Sequence, residues 1–225
     1  MTRAVFLLLL ATASRVVAQA SVPMHEEPLH RLVLTHHQLR VMDVRICPGD
    51  TTLFHVHALP ALYVAVATSP VDIQLLEGQW GGTHPAADPG RKPGDVNVDT
   101  TYVRRPITHR VTNVGPRLFN LIAITSSTAS PGESGPPDMP GDLELHNRWF
   151  TQSRARVAAG ESPRWYSPLS PTIVVQPLSG AATVLLESGG KHPLDSPGSW
   201  VLVPAGVRYQ LTSPSSSTLV VVQVR

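Results

Sequence analysis

The chain has 225 residues, with 18 basic and 16 acidic side chains and a formal net charge of +2. Two of the basic residues, Arg3 and Arg15, lie in the first twenty positions, so the rest of the chain is neutral. Without a basic run, and with only 5% aromatic residues, it lacks the electrostatic footprint of a nucleic-acid-binding protein. The length fits one large β domain or two smaller modules.

Residues 1–20 have the composition of a secretory signal peptide. Arg3 supplies a positive start, residues 5–11 are apolar, and Ala18-Gln19-Ala20 forms a small-x-small cleavage site. The apolar run is too short to span a bilayer, so a retained membrane anchor is the weaker alternative. We expect cleavage after Ala20, a periplasmic or secreted protein, and no stable membrane insertion after cleavage.

The first part of the chain, residues 21–127, is predicted to be a β domain. Short runs rich in Val, Ile, Leu and Thr alternate with clusters of turn residues, which is typical of an all-β fold. Residues 78–99 are predicted to be a long loop because of their Pro and Gly clusters. Eight strands, the number for a jelly roll of two packed sheets, are predicted at residues 31–35, 39–46, 52–57, 62–67, 72–77, 101–103, 109–113 and 118–124.

Residues 128–144 are predicted to be a linker, since they are rich in Pro, Gly and Ser and offer little apolar material to bury. Strand patterns then resume in residues 145–225. The predicted strands of this second half are residues 150–157, 172–178, 182–187, 200–204 and 218–224.

His55 and His57 stand two residues apart in a predicted strand, after the turn sequence Pro48-Gly49-Asp50. Side chains alternate across a strand, so the two imidazoles share one face. With its flanks, this segment resembles motif 1 of the cupin superfamily, in which a Gly, five residues and His-x-His precede a Glu. The positions expected for that Glu hold Ala61 and Leu62.

A second segment resembles cupin motif 2 in a shortened form. Pro106, His109 and Asn113 occupy its positions, and its Gly is missing. Taken alone, His109 would be read as a structural residue that supports strand pairing. Together the two motifs imply an all-β cupin double-stranded β-helix, the jelly roll, and a chain of two tandem cupin barrels.

The second half has the turn residues of a cupin but not its ligands. Trp165-Tyr166-Ser167 follows Gly160 where motif 1 would have His-x-His, and Tyr209 and Ser213 replace the His and Asn of motif 2. We therefore interpret residues 145–225 as a degenerate, metal-free cupin-like domain that completes a bicupin. An unrelated β extension is the alternative.

The resemblance implies one metal site per chain, with His55, His57 and His109 as ligands. Three imidazoles suit a divalent transition metal, with Fe, Zn or Cu preferred and Mn or Ni possible, and they leave positions for water or substrate. Because the Glu is absent, Tyr63 is the candidate catalytic group. Gln74 and Glu77 are weaker candidates for the same role.

Two functions are compatible with this site. The first is a metal-dependent oxidoreductase of the dioxygenase type. The second is a non-enzymatic cupin that binds a sugar-like or polar small molecule, with aromatic walls supplied by the second half from Trp165, Tyr166, Trp200 and Tyr209. The ligand or substrate is a small molecule in either case, and the resemblance also makes a homodimer plausible.

The other chemistry-bearing residues are expected to be structural. Cys47 is the only cysteine, which excludes an intramolecular disulfide, and a packed thiol is the favoured interpretation. His84 lies in the long loop that could close over the barrel mouth. Four N-terminal histidines are predicted to be solvated or turn residues: His25, His30, His36 and His37.

Overall fold

The computed structural model describes residues 20–81, 91–128, 137–161 and 163–225. The elements of the first half are β1 (Val22–Pro23), β2 (His30–His36), β3 (Leu39–Ile46), β4 (His55–His57), β5 (Ala61–Ala67), β6 (Val71–Leu75), β7 (Val96–Asp99), β8 (Ile107–Asn113) and β9 (Phe119–Ser126), with 3-10 helices at Met24–Glu26 and Thr101–Val103. Those of the second half are β10 (Asp142–His146), β11 (Phe150–Val157), β12 (Thr172–Val175), β13 (Ala182–Leu186), β14 (Lys191–Leu194), β15 (Trp200–Val203), β16 (Tyr209–Thr212) and β17 (Ser217–Val224).

The strands form four sheets. Sheet 1 has the order β1-β4-β8-β6 and sheet 2 the order β2-β3-β9-β5-β7. Sheet 3 has the order β10-β11-β17-β12-β15, and sheet 4 the order β14-β13-β16. The all-β prediction is therefore confirmed. Within the described ranges, no helix combines the length and apolar character that a membrane crossing needs.

Each half has its own core. Sheets 1 and 2 enclose one apolar cluster, which includes Met42, Ile73 and Leu121. Sheets 3 and 4 enclose another, built around Tyr209 and Leu219. Side chains that alternate along each strand place the apolar residues on the enclosed face.

A third apolar cluster joins the two halves. Leu62 and Ile122 of sheet 2 pack with Ile173 and Val222 of sheet 3. All eight residues of β9 are consequently buried, because the strand is covered on both faces. Sheet 1 takes no part in this contact between the halves. The core of the first half lies between sheet 1 and sheet 2.

Several predicted elements differ from the structure. Residues 101–103, predicted as a strand, form a 3-10 helix because the Asp99 carboxylate accepts hydrogen bonds from the Thr101 amide and hydroxyl at 2.7 and 2.6 Å. Residues 96–99, assigned to the long loop, form β7 and pair with β5. Cys47 is exposed, so its interpretation as a packed thiol was wrong.

Three strands of the second half, β10, β14 and β16, were not among the predicted elements. β10 begins at Asp142, inside the range predicted as linker. Residues 129–136 of that linker, residues 1–19 of the predicted signal peptide and His84 lie outside the described residues. The domain boundaries and the bicupin interpretation stay predictions.

Candidate metal centre

Strand pairing brings the three predicted histidines together. β4 and β8 are antiparallel neighbours in sheet 1, and His55 lies directly opposite His109 in their register. Opposite residues of such a pair project to the same face, and His57 shares the face of His55. His109 therefore comes from the strand adjacent to the one that carries His55 and His57.

The three imidazoles form a compact, buried cluster. Their centroids lie 4.7 to 5.0 Å apart, and one ligand nitrogen from each ring falls within 4.8 Å of the other two. The Nε2 atoms of His55 and His109 are 3.1 Å apart. His55, His57 and His109 are 0%, 5% and 4% exposed. This spacing suits three nitrogens that share one cation.

His55 is held in the tautomer that a metal ligand needs. Its Nδ1–H donates a hydrogen bond of 2.9 Å to the Leu53 carbonyl, which leaves the lone pair of Nε2 directed toward His109. Burial lowers the pKa of His55 to about 4, against a smaller opposing effect of that hydrogen bond. The imidazole is therefore neutral at neutral pH, the form that binds metal ions.

Tyr63 supports the second histidine. Its hydroxyl lies 2.9 Å from Nδ1 of His57, so it can accept a hydrogen bond from Nδ1–H while Nε2 of the same ring faces the cluster. Burial, followed by the effects of Tyr102 and Asp99, raises the pKa of Tyr63 well above its usual range. The structure places Tyr63, the candidate catalytic group, as a neutral hydrogen-bond partner of His57.

Other candidates for the missing carboxylate lie elsewhere. Ala61 and Leu62 are fully buried, and Leu62 packs in the cluster between the halves. The Gln74 side chain accepts a hydrogen bond from Arg110 and donates one to the Gly78 carbonyl. Glu77 is exposed in the turn after β6. Within the described residues, the compact group of potential metal ligands consists of the three histidines alone.

Asn113, four residues after the last histidine of the cluster, has a structural role at the end of β8. It is fully buried, and its amide donates to the carbonyls of Ile46 and Arg117 at 2.8 and 2.6 Å. Its side-chain oxygen accepts the Gly115 amide at 3.0 Å. Gly49, at φ +84°, donates its amide to the Asn113 carbonyl. These bonds tie the end of β8 to the turn before β4, so they fix the two histidine-bearing strands relative to each other.

Sequence reasoning missed two aromatic neighbours of the cluster. His30, predicted to be solvated, is 4% exposed, and its ring meets that of His55 edge-on at 4.4 Å between centroids. Its Nδ1–H donates to the Met24 carbonyl at 3.1 Å, and burial lowers its pKa to about 3. Tyr102 lies 5.0 Å from the His57 ring. No local pattern marks either residue, because each is buried by a 3-10 helix packed against the sheet.

The cluster opens into a cavity of about 290 Å³. Its apolar wall comes from the first-half core and includes Ile73, Val111, Phe119 and Leu121. Polar and charged residues of β7 and of the segments beside it also line the cavity: Arg91, Asn97, Asp99, Thr101 and Arg105. The histidines thus stand where a small molecule with one apolar and one polar side could approach them.

The residues present fit a transition-metal ion. Three neutral imidazoles with converging nitrogens form the donor set, and the cavity leaves room for a further ligand. Hydrogen bonds that the Leu53 carbonyl and the Tyr63 hydroxyl accept orient two of the imidazoles. Such a set suits Fe, Zn, Cu or Ni better than Mn, which prefers oxygen ligands.

Solved structures of similar fold are known. AerE from Microcystis aeruginosa aligns with a TM-score of 0.62 at 14% identity, over 85% of this chain and 90% of AerE. Salicylate 1,2-dioxygenase from Pseudaminobacter salicylatoxidans gives 0.55 at 11% identity, over 83% of this chain and 71% of the enzyme. A cupin 2 conserved barrel domain protein from Leptotrichia buccalis gives 0.54 at 12%, over 86% and 87%. No family model and no curated protein sequence matches the chain.

These likenesses establish the fold, which is the jelly-roll arrangement of sheets seen in the cupin barrel protein. The buried three-histidine cluster, formed by the residues that the motifs predicted, supports a metal-binding site within this fold.

Proposed function

We propose that this chain is a metal-dependent oxidoreductase of the dioxygenase type that acts on a small organic molecule. The observation that carries the proposal is the cluster of His55, His57 and His109 in the lining of a largely apolar cavity. A site for structural metal alone would be closed by a fourth protein ligand. Here the described residues supply three, and the cavity adjoins them.

Two solved structures support this class. Salicylate 1,2-dioxygenase shares the fold, and one of its structures is an adduct with gentisate. We propose Fe(II) as the metal, because a three-histidine site accepts it and it supports reactions with O₂. A dioxygenase adds both atoms of O₂ to one substrate, so the overall reaction needs no external reductant.

The chain's own residues would bind the metal, orient it and exclude water. His55, His57 and His109 would hold it, and bound iron would supply the activation of O₂ and substrate. Tyr63 and the Leu53 carbonyl keep the imidazoles in fixed orientations. The apolar wall receives the body of the substrate and keeps bulk water from the reacting atoms.

The test combines metal content with oxygen uptake. Protein loaded anaerobically with Fe(II) should hold about one equivalent, and it should consume O₂ and incorporate both labelled atoms when given a substrate from a panel of aromatic and aliphatic carboxylates and diketones. His57→Ala should lose both properties. His37→Asn is the matched control, since His37 is exposed at φ +51°, a conformation that Asn tolerates.

Two results would contradict the proposal. Less than about a tenth of an equivalent of any transition metal after reconstitution would remove its foundation. One equivalent of metal with tight ligand binding and no O₂ uptake would instead support the non-enzymatic binding cupin.

We also propose that the protein is exported to the periplasm or secreted, on the composition of residues 1–20. Mass spectrometry of the protein from its native cell should find Ser21 as the first residue. An intact N-terminus in the cytosolic fraction would contradict this. Homodimerisation stays a prediction.

A further inference from the structure

Two arginines line the cavity. Arg91 and Arg105 share it with the three histidines and with the apolar residues of the first-half core. Arg105 is exposed and Arg91 is half-buried. Neither forms an ion pair with a carboxylate among the residues that the structure describes, whereas Arg31 and Arg154 elsewhere in the chain do.

Arg91 lines the same cavity as the phenols of Tyr63 and Tyr102. Tyr63 in turn hydrogen-bonds His57. The guanidinium of Arg91 therefore belongs to the same cavity as the metal ligands.

The acidic residue of the cavity is already engaged. Asp99 accepts hydrogen bonds from the amide and the hydroxyl of Thr101, and it interacts with the Tyr102 hydroxyl. Two arginines and one occupied carboxylate therefore give the charged lining of the cavity a net positive charge.

We propose that the site selects a small organic carboxylate, whose anionic group pairs with Arg91 and Arg105 and whose apolar body faces Ile73, Val111 and Phe119. This inference rests on the proposed function and names its substrate class. Guanidinium groups recognise carboxylates with paired, charge-assisted hydrogen bonds. A cavity of about 290 Å³ is at the small end for ligand sites, which fits a single ring or a short chain.

The test compares carboxylates with their uncharged amides on zinc-loaded full-length protein. The probes are benzoate and benzamide, salicylate and salicylamide, hexanoate and hexanamide, with affinity measured by titration calorimetry. At least one acid should bind about ten-fold more tightly than its amide, since hydrogen bonds to charged groups are the strong ones. Added salt should weaken that acid and leave its amide unaffected.

A carboxylate can be bound by the arginines or by the metal, and variants of the arginines distinguish the two. Arg91→Gln and Arg105→Gln should each weaken binding of the acid about five- to ten-fold and leave the amide unchanged. Arg104→Gln is the matched control, because Arg104 is exposed in the same turn and does not line the cavity. Arg105→Lys keeps the charge but loses the paired hydrogen bonds, so its preference for the acid should lie between those of Arg105→Gln and the unchanged protein. Zinc content reports that each variant is folded.

The outcomes are distinguishable. If no acid binds at least three-fold better than its amide, or if the preference survives in the Arg91→Gln, Arg105→Gln double variant, the proposal is overturned while zinc binding can still support the proposed function. If zinc does not bind, the proposed function fails, and the same acid and amide titrations on metal-free protein decide whether the arginines select a carboxylate.

Discussion

The two halves of the chain contain the same backbone pairing, but the paired residues have different roles. In the first half, His55 and His109 face each other across β4 and β8. In the second half, Tyr166 and Tyr209 face each other in an isolated antiparallel bridge, with backbone hydrogen bonds of 2.9 and 3.0 Å in both directions. One pair forms part of a metal-ligand cluster, and the other is a packed aromatic pair with centroids 5.6 Å apart.

The turns before the two pairs also correspond. Gly49 lies six residues before His55 and has φ +84°, and Gly160 lies six residues before Tyr166 and has φ +71°. Two residues after Tyr166 the chain has Pro168, so Tyr166 and Pro168, rather than Trp165 and Ser167, correspond to His55 and His57. The described residues of the second half thus have the turn and the strand bridge but no matching ligand set.

Burial shows what the tyrosines do instead. Tyr209 is 0% exposed and lies in the apolar cluster between sheets 3 and 4. Its hydroxyl has no hydrogen-bond partner among the described residues. In both halves the backbone positions the paired side chains. The chemistry of those side chains then decides whether a metal site or a filled core results.

The largest effect is expected from removal of a ligand. His55→Ala should lower the affinity for Zn²⁺ by at least about 100-fold, because loss of a ligand costs more than loss of a group that only supports one. Titration against a competing chelator would measure it. Tyr166→Phe, at the corresponding position of the second half, should leave the affinity unchanged, and equal losses in both variants would break the distinction between the halves.

In the second half, substitution of the corresponding residue should change the free energy of unfolding rather than the metal affinity. Tyr209→Ala removes a large buried side chain, so the free energy of unfolding should fall by about 3 to 5 kcal/mol. Tyr209→Phe should be neutral or slightly stabilising, because it removes a buried hydroxyl without a partner. Urea denaturation of the two variants gives both values.

Zinc stoichiometry provides the control for this pair of variants. It should stay at one equivalent in Tyr209→Phe, since no ligand has changed. A loss of zinc from Tyr209→Phe, or a fall in stability as large as that of Tyr209→Ala, would show that the tyrosine hydroxyl has a role beyond packing.

A smaller effect is expected at the group that supports a ligand. Tyr63→Phe removes the hydroxyl that lies 2.9 Å from Nδ1 of His57, so metal affinity should fall about ten-fold. The unfolding free energy should change by less than about 1 kcal/mol, because the ring and its packing remain. An affinity within two-fold of the unchanged protein would show that the hydroxyl does not orient His57.

Strands with strong local patterns could be predicted from the sequence. β3 and β11 have the same bounds as predicted, residues 39–46 and 150–157. Each is a run of eight residues between turn signals, and β3 is also rich in apolar side chains. The three clustered histidines were also found, because period-two alternation and motif spacing are local properties of the sequence.

Features that depend on tertiary contacts could not be predicted. β7 is four residues long and becomes a strand by pairing with β5, and Thr101–Val103 is turned into a 3-10 helix by the Asp99 carboxylate. His30 is buried beside His55 only because Met24–Glu26 folds against β2. In each case a partner distant in sequence, or a side-chain hydrogen bond, overrides the weak local preference.

The smallest expected effect tests whether the two turns are equivalent. Gly49→Ala and Gly160→Ala should each cost about 1 kcal/mol of unfolding free energy, because both glycines have positive φ and an added Cβ would meet no atom within 4 Å. The cost is then one of backbone conformation alone. Gly49→Asn and Gly160→Asn should recover part of it, since Asn tolerates this conformation. Urea denaturation of all four variants measures the loss of unfolding free energy at each turn. Losses that differ by more than about 1 kcal/mol between the two sites would mean that the turns are not equivalent.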